Sequence, residues 1–389
     1  MELRAYLDNG ATTKPFDEVK EIMLRTLDID FGNPSSLHTK GMEAEHYIKE
    51  ARNVVAQSLK VKEKEIIFTS GGTESNNMAL IGAALANKRN GNHIITTKIE
   101  HPSVHNPLFL LEENGFEVTY LDVNRNGHID LQEFSDAIKD TTILVSIMYV
   151  NNEIGAVLDI EGISRMIKEK NQNILFHVDA IQAYGKYRIY PNKMGIDMLS
   201  VSAHKIHGPK GIGFLYIKDK TKIKPLIYGG EQQKGMRSGT ENVPGIAGMS
   251  EAVKKIYENH DEKIVTMYEL KKYFVEEVLK IDGTFVNGID GIPLEVTAPH
   301  VISVSFLKVR SEVLLHALAD KGICVSAGSA CASNHPQISG TLKAVGVKQE
   351  LLESTIRFSL SVTTTKEELD IALEALHEIL PMLRRFTRH

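Results

Sequence analysis

Two hydrophobic textures alternate along the chain from residue 16 to about residue 260. Short runs of β-branched and aliphatic residues give way to longer stretches whose apolar positions recur at helical spacing. The short runs predict strands at 65–69, 93–97, 117–121, 143–149, 174–178, 198–202 and 213–217. The longer stretches predict helices at 43–59, 74–87, 103–114, 131–138 and 160–170. Strands that alternate with helices imply an α/β fold with a mainly parallel seven-stranded sheet. Beyond this region the texture changes. One helix is expected over 251–280, then a strand at 300–306, a helix at 311–321, strands at 323–326 and 355–360, and a helix at 366–385. This tail predicts a smaller α+β domain joined by the first dozen or so residues. The expected division is a large domain over 16–262 and a small one formed by 1–15 and 263–389. No internal repeat or low-complexity segment interrupts the pattern.

The length of 389 residues exceeds one typical core, which agrees with two domains. Hydrophobic residues at 42% and charged residues at 24% are an ordinary globular balance. A net charge of −5 gives no reason to expect nucleic acid or an anionic membrane as a direct partner. The opening Met-Glu-Leu-Arg-Ala-Tyr-Leu-Asp has neither the basic start nor the apolar core of a signal peptide, and no apolar run is long enough to span a bilayer. Only Cys324 and Cys331 are present, which is no disulfide framework. A cytoplasmic, reducing location is the expectation.

The most informative run is Asp197-Met-Leu-Ser-Val-Ser-Ala-His-Lys205, followed by Ile-His-Gly-Pro-Lys-Gly. An apolar strand delivers Ser202, His204 and Lys205 together, and a Pro/Gly turn then reverses the chain. A lysine fixed among small polar residues can lose solvent, lower its pKa and condense with a carbonyl. Pyridoxal phosphate (PLP) is the cofactor that needs such a lysine. A lysine of this kind in isolation would more simply be an ordinary hairpin residue, so the surrounding constellation decides.

In open α/β sheets, ligands bind beyond the carboxyl ends of the strands, and polar residues recur at those ends here. The strand at 65–69 runs into Ser70-Gly-Gly-Thr-Glu-Ser-Asn-Asn. Gly72 and Thr73 there suit either a phosphate at a helix N-terminus or a plain helix cap. Pro102 starts a helix and fixes His101 at its mouth, where an imidazole can stack on a flat ring, shuttle protons or simply bond the loop. Asn151 and Asn152 follow the strand at 143–149 as turn residues or ligand contacts. Asp179 ends a buried strand, which is costly without a partner; a pyridine nitrogen would supply one, and a local turn is the rival. Gln182 would then reach the ring's phenolic oxygen. Arg357 interrupts the apolar run Ile-Arg-Phe-Ser-Leu, either to clamp a carboxylate bidentately or to form a structural ion pair. Cys331 lies among small polar residues, and such a thiol, exposed on a loop, is a candidate nucleophile. Cys324, between Ile323 and Val325, suits a small core hydrophobe. The interval between the cysteines matches no common zinc spacing, so no metal is expected. The run from Asp122 to Glu133 fits a calcium-loop pattern, but the strand-like residues before it argue against an EF-hand.

Taken together, the chain resembles the cysteine desulfurases of the NifS/IscS type, within the class-V aminotransferase group of PLP enzymes. The matching pieces include Tyr6-Leu-Asp-Asn-Gly-Ala-Thr-Thr, Gly32-Asn-Pro-Ser-Ser-Leu-His, Thr73-Glu-Ser-Asn-Asn, Glu100-His, Asn151-Asn-Glu-Ile-Gly, His177-Val-Asp-Ala-Ile-Gln, Arg237-Ser-Gly-Thr-Glu-Asn and Gly328-Ser-Ala-Cys. The resemblance implies the PLP-transferase fold type I. It implies that Lys205 carries PLP and moves the substrate Cα proton, and that His101 stacks on the ring and acts in acid–base steps. Asp179 and Gln182 would address the ring, while Gly72, Thr73, Ser202 and His204 hold the phosphate. Asn152 and Arg357 would hold the carboxylate of L-cysteine. Thr240 would reach the phosphate of the neighbouring subunit's cofactor, which implies a homodimer. Cys331 would attack the sulfur of bound cysteine, release alanine and pass a persulfide to a protein acceptor, either an iron–sulfur scaffold or a tRNA-thiolation enzyme. The sequence departs from the family at Gly10, where Asn or Ala is usual, and after Cys331, where the loop is less apolar.

Rival expectations are a selenocysteine lyase or another class-V PLP enzyme, against which Cys331 discriminates. A non-catalytic calcium-binding or sulfur-carrier scaffold has only the Asp122 run in its favour.

Overall fold

Strands as apolar as those predicted must be covered on both faces, and the helices between them supply the cover. The computed structural model describes residues 2–327 and 339–386. After a short strand β1 (Ala5–Tyr6), the large sheet is built from β2 (Ile66–Thr69), β3 (His93–Thr97), β4 (Glu117–Leu121), β5 (Thr142–Met148), β6 (Leu175–Asp179), β7 (Met198–Ser202) and β8 (Gly213–Ile217). Its seven strands run in the order β2-β8-β7-β6-β5-β3-β4. The β4, β3, β5, β6 and β7 strands are mutually parallel. The β8 strand is antiparallel to both neighbours, because the turn after Lys205 reverses the chain, with Gly211 at φ +75°. The expected mainly parallel α/β sheet is thus present, with one reversed strand.

One face packs Met78, Leu80, Val104 and Leu108 from the helices Gly72–Asn87 and Pro102–Glu113. The other face packs Val55, Ile163 and Met249 from helices Thr39–Leu59, Ile160–Lys170 and Val243–Tyr257. Two histidines tie strands together inside the sheet. His177 on β6 lies 2.8 Å from Ser146 Oγ on β5 and 2.9 Å from Ser200 Oγ on β7. His93 on β3 similarly joins Thr142 and Thr119.

The remaining strands are β9 (Thr284–Asn287), β10 (Val301–Phe306), β11 (Ile323–Cys324), β12 (Ser326–Ala327) and β13 (Thr355–Ser359). Among the described residues β12-β13-β10-β9 form an antiparallel sheet, and β1 pairs in parallel with β11. Phe274, Phe306 and Phe358 centre a separate hydrophobic cluster beneath it.

Three expectations need correction. The helix expected over 251–280 is two helices, Val243–Tyr257 and His260–Val278. They break at Asn259, which adopts φ +50°, a left-handed conformation that asparagine tolerates better than most residues. The strand expected over 323–326 divides at Val325 into β11 and β12, which join different sheets. Cys324, expected in the core, is only partly buried. The β9 strand and the helix Asp17–Asp28 were not expected at all.

The calcium-like run follows a strand, β4, and its oxygens serve local structure. Asn124 Oδ1 accepts from the N–H groups of Asn126 and His128, Asp130 caps the helix Leu131–Ala137, and Asp122 pairs with Lys98 at 2.6 Å. No helix among the described residues is long and apolar enough to cross a membrane.

Candidate active site

The carboxyl ends of β2, β3, β5, β6 and β7 open onto one cavity of about 460 Å³, within the range of small-molecule sites. From these ends come Gly72 and Thr73, His101, Asn152, Asp179 and Gln182, and Ser202, His204 and Lys205. Arg357 from β13 and Ser326 from β12 close it from the other sheet, and Gly10 and Ala11 lie at its edge. Every site residue expected from the sequence lines this cavity except two. Thr240 is exposed and does not line it. Cys331 lies outside the described residues.

Lys205 occupies a tight turn, Ala203–Lys205, directly after β7. Its Nζ donates to the carbonyls of Gly10 at 2.6 Å and Ala11 at 2.7 Å. The N-terminal segment is held there in turn, because Thr13 N–H and Oγ1 both donate to His204 O at 2.9 Å. Burial lowers the pKa of His204 to about 4, with Lys205 and other lysines adding to the effect, so its ring is neutral at pH 7.

Asp179 ends β6 and is buried. Its Oδ2 accepts from Asn76 Nδ2 at 2.8 Å and its Oδ1 from Ile181 N–H at 3.0 Å. Burial raises its pKa, while these hydrogen bonds and the charges of His101 and Lys205 oppose the rise. Asn76 also donates to Ser103 Oγ at 2.9 Å, and that hydroxyl lies 2.8 Å from His101 Nδ1. Ser103 N–H donates to the same Nδ1 at 3.1 Å, so the neutral ring carries its proton on Nε2. Burial lowers the His101 pKa and favours that neutral form.

Arg357 is clamped from several sides. Its Nη1 donates to Asn152 O at 2.9 Å, and its Nη2 donates to Asp8 Oδ1 at 3.0 Å and to Ser326 Oγ at 3.2 Å. Its Nε is buried with no partner among the described residues. Two carboxyls border the cavity as well. Burial pushes Glu100 up to about 8, and it raises Glu153, whose Oε2 accepts from Ser339 Oγ at 2.5 Å.

This polarity fits a phosphorylated pyridine ring. A buried carboxylate with two neutral hydrogen-bond partners, Asp179, marks a place for a cationic ring nitrogen. In the same cavity the helix Gly72–Asn87 begins at Gly72, with the hydroxyl-bearing Thr73 and Ser202 also lining it. A Cβ on Gly72 would come within 2.1 Å of Ile181 Cδ1, so the close packing of that helix start against Ile181 favours glycine.

The aminotransferase class-V pattern matches residues 5–372. The chain belongs to the class-V aminotransferase family. It is 46% identical to the cysteine desulfurase IscS of Dictyoglomus turgidum over 385 residues, covering 99% of this chain and 96% of that protein. The cysteine desulfurase IscS of Methanosarcina thermophila is 44% identical over 382 residues, covering 98% of this chain and 93% of its own. A solved NifS-like protein superposes with a TM-score of 0.91 at 39% identity, covering 98% of this chain and all of the other. The cofactor of this class-V enzyme is PLP, and the residues at the cavity fit it.

Several functional groups escaped the sequence reading. Asn76 and Ser103 orient Asp179 and His101, and Asp8 and Ser326 orient Arg357. Asn76 had a visible signal, lying three residues after Thr73 on the same helix face. Asn151 and Asn152, indistinguishable in sequence, divide their roles. The Asn151 amide is spent on Ile99 O and on the N–H groups of Glu153 and Ile154, while Asn152 lines the cavity.

Proposed function

We propose that the chain is a cysteine desulfurase that converts L-cysteine to L-alanine and keeps the sulfur as a persulfide on Cys331. The observation that carries this reading is the presence, in one cavity, of Lys205 and Arg357: an amine for a carbonyl and a guanidinium for a carboxylate. PLP bound there supplies an electron sink that weakens bonds at the substrate's Cα and Cβ. Gly72, Thr73, Ser202 and His204 would hold its phosphate, Asp179 its ring nitrogen and Gln182 its phenolic oxygen, and His101 would stack on the ring and serve in acid–base steps.

Arg357 and Asn152 fix the substrate carboxylate. Lys205 Nζ takes the Cα proton and returns a proton when alanine forms. The Cys331 thiolate attacks the substrate sulfur, so that an S–S bond forms as the Cβ–S bond breaks and the electron pair passes to Cβ. Cysteine and a thiol thereby become alanine and a persulfide, with no external oxidant or reductant. A protein acceptor, an iron–sulfur scaffold or a tRNA-thiolation enzyme, then receives the outer sulfur.

A homodimer is in keeping with Thr240, which is exposed and does not line this chain's own cavity, and which would reach the neighbouring subunit's cofactor phosphate. The domain division at 16–262 against 1–15 and 263–389 is supported by separate hydrophobic clusters around Phe176 and Phe358. The cysteine content suits the cytoplasm.

The test is the absorbance of the purified holoenzyme, followed by cysteine addition with alanine and sulfide assayed, for wild type and Cys331→Ala. A yellow protein that loses turnover in Cys331→Ala but keeps its colour bears the proposal out. Turnover indifferent to Cys331 sinks it.

A further inference from the structure

Behind Gln182 lies a histidine that the reaction does not use. His300 immediately precedes β10 and is 1% exposed; its carbonyl accepts from Leu360 N–H at 2.8 Å, which fixes it against the end of β13. We propose that His300 is a positioning residue that aims the Gln182 amide N–H at the phenolic oxygen of the bound cofactor. This inference rests on the assignment of Gln182 to that oxygen in the proposed function.

Hydrogen-bond polarity makes the case. The Gly10 carbonyl can only accept, so the group facing it at 3.0 Å is Gln182 Nε2. Gln182 Oε1 therefore faces His300 Nε2 at 3.1 Å, and His300 must donate from that atom. Lys186, Lys271, Arg357 and Lys205 surround the ring electrostatically, and burial with these like charges holds it neutral. A neutral ring with its proton on Nε2 has a bare Nδ1, and Nδ1 indeed has no partner. The tautomer is thus set by Gln182 alone. One Nε2 hydrogen of Gln182 is spent on Gly10, and the second is left for the cavity that Gln182 lines. Without His300, Oε1 would be buried without a donor, and the amide would lose the contact that keeps its nitrogen forward.

The readout is the pH midpoint of the visible band of the holoenzyme. A donor to the phenolic oxygen spreads its negative charge and loosens the proton that this oxygen shares with the Lys205 nitrogen. Losing the donor holds that proton more tightly and raises the midpoint. His300→Leu and Gln182→Leu should each raise it by about one pH unit, the worth of one charge-assisted hydrogen bond. The double variant should shift no further than Gln182→Leu alone, because the two residues act through one bond. His300→Gln, whose amide nitrogen has the same reach, should restore the wild-type value. His300→Asn, too short to reach Gln182, should shift like His300→Leu and serves if the leucine variant does not fold.

A wild-type midpoint in His300→Leu or His300→Asn, beside a shifted Gln182→Leu, overturns the role of His300 alone. An unshifted Gln182→Leu overturns the assignment of Gln182, and this inference with it.

Discussion

Arg357 is held by Asn152, Asp8 and Ser326 at the edge of the cavity, where in the proposed function its planar fork meets the substrate's carboxylate. Arg357→Lys keeps the charge but not the planar fork, so KM for cysteine should rise on the order of tenfold or more while kcat falls less. Steady-state alanine production separates the two constants. With Lys205 as the proposed cofactor anchor and base at Cα, Lys205→Ala should lower alanine formation by at least about a thousandfold. An apo protein reconstituted with PLP should then lack the wild-type visible band. Lys205, Asp179 and His101 were legible in the sequence because each sits at or a few residues beyond the end of an apolar strand, where a polar residue is conspicuous. Asp8 and His300 were not. Their meaning lies in partners 349 and 118 positions away, and no local pattern carries that information.

At the scale of elements, the sheet is cross-tied by neutral histidines, and this makes it sensitive to acid. Burial lowers the His177 pKa to about 3, whereas in the unfolded chain the ring titrates near its ordinary 6.5. Between those values the unfolded state binds the extra proton. The contribution of His177 is therefore complete above pH 6.5 and falls by about 1.4 kcal/mol per pH unit as the pH drops toward 3. Urea unfolding at pH 7.5 and pH 5 should show the loss in wild type and a flatter response in His177→Asn. The break between helices Val243–Tyr257 and His260–Val278 makes a second prediction. Asn259→Ala should destabilise by about 1 kcal/mol, because alanine resists a positive φ, while Asn259→Gly should be tolerated; thermal unfolding measures both. Hydrophobic periodicity could not reveal that break, since apolar spacing continues in helical register on both sides of it. It also missed β9, of whose four residues only the first is buried, which leaves no alternation to read.

At the scale of the whole molecule, the cavity is walled by both sheets and the N-terminal segment, so a ligand inside it cross-links all three. Binding to the folded state alone stabilises by about 4 kcal/mol when the ligand is at a thousand times its Kd. Stripping PLP should lower the melting temperature, and adding it back should raise it in a concentration-dependent way, with a smaller rise in Lys205→Ala. The α/β class was plain from the alternation of strands and helices, which is a local property repeated many times. The way residues 5–13 thread between the sheets was legible only in outline, because nothing in those few residues says which carbonyl meets which lysine. That threading has a consequence for biosynthesis. Asp8 is made before Arg357 and must wait for it, 349 positions later, before the ion pair that holds the guanidinium at the cavity exists. A nascent chain therefore carries Lys205 long before it has the guanidinium that shares its cavity, and the pocket is completed only once the residues up to Arg357 have been made and folded back.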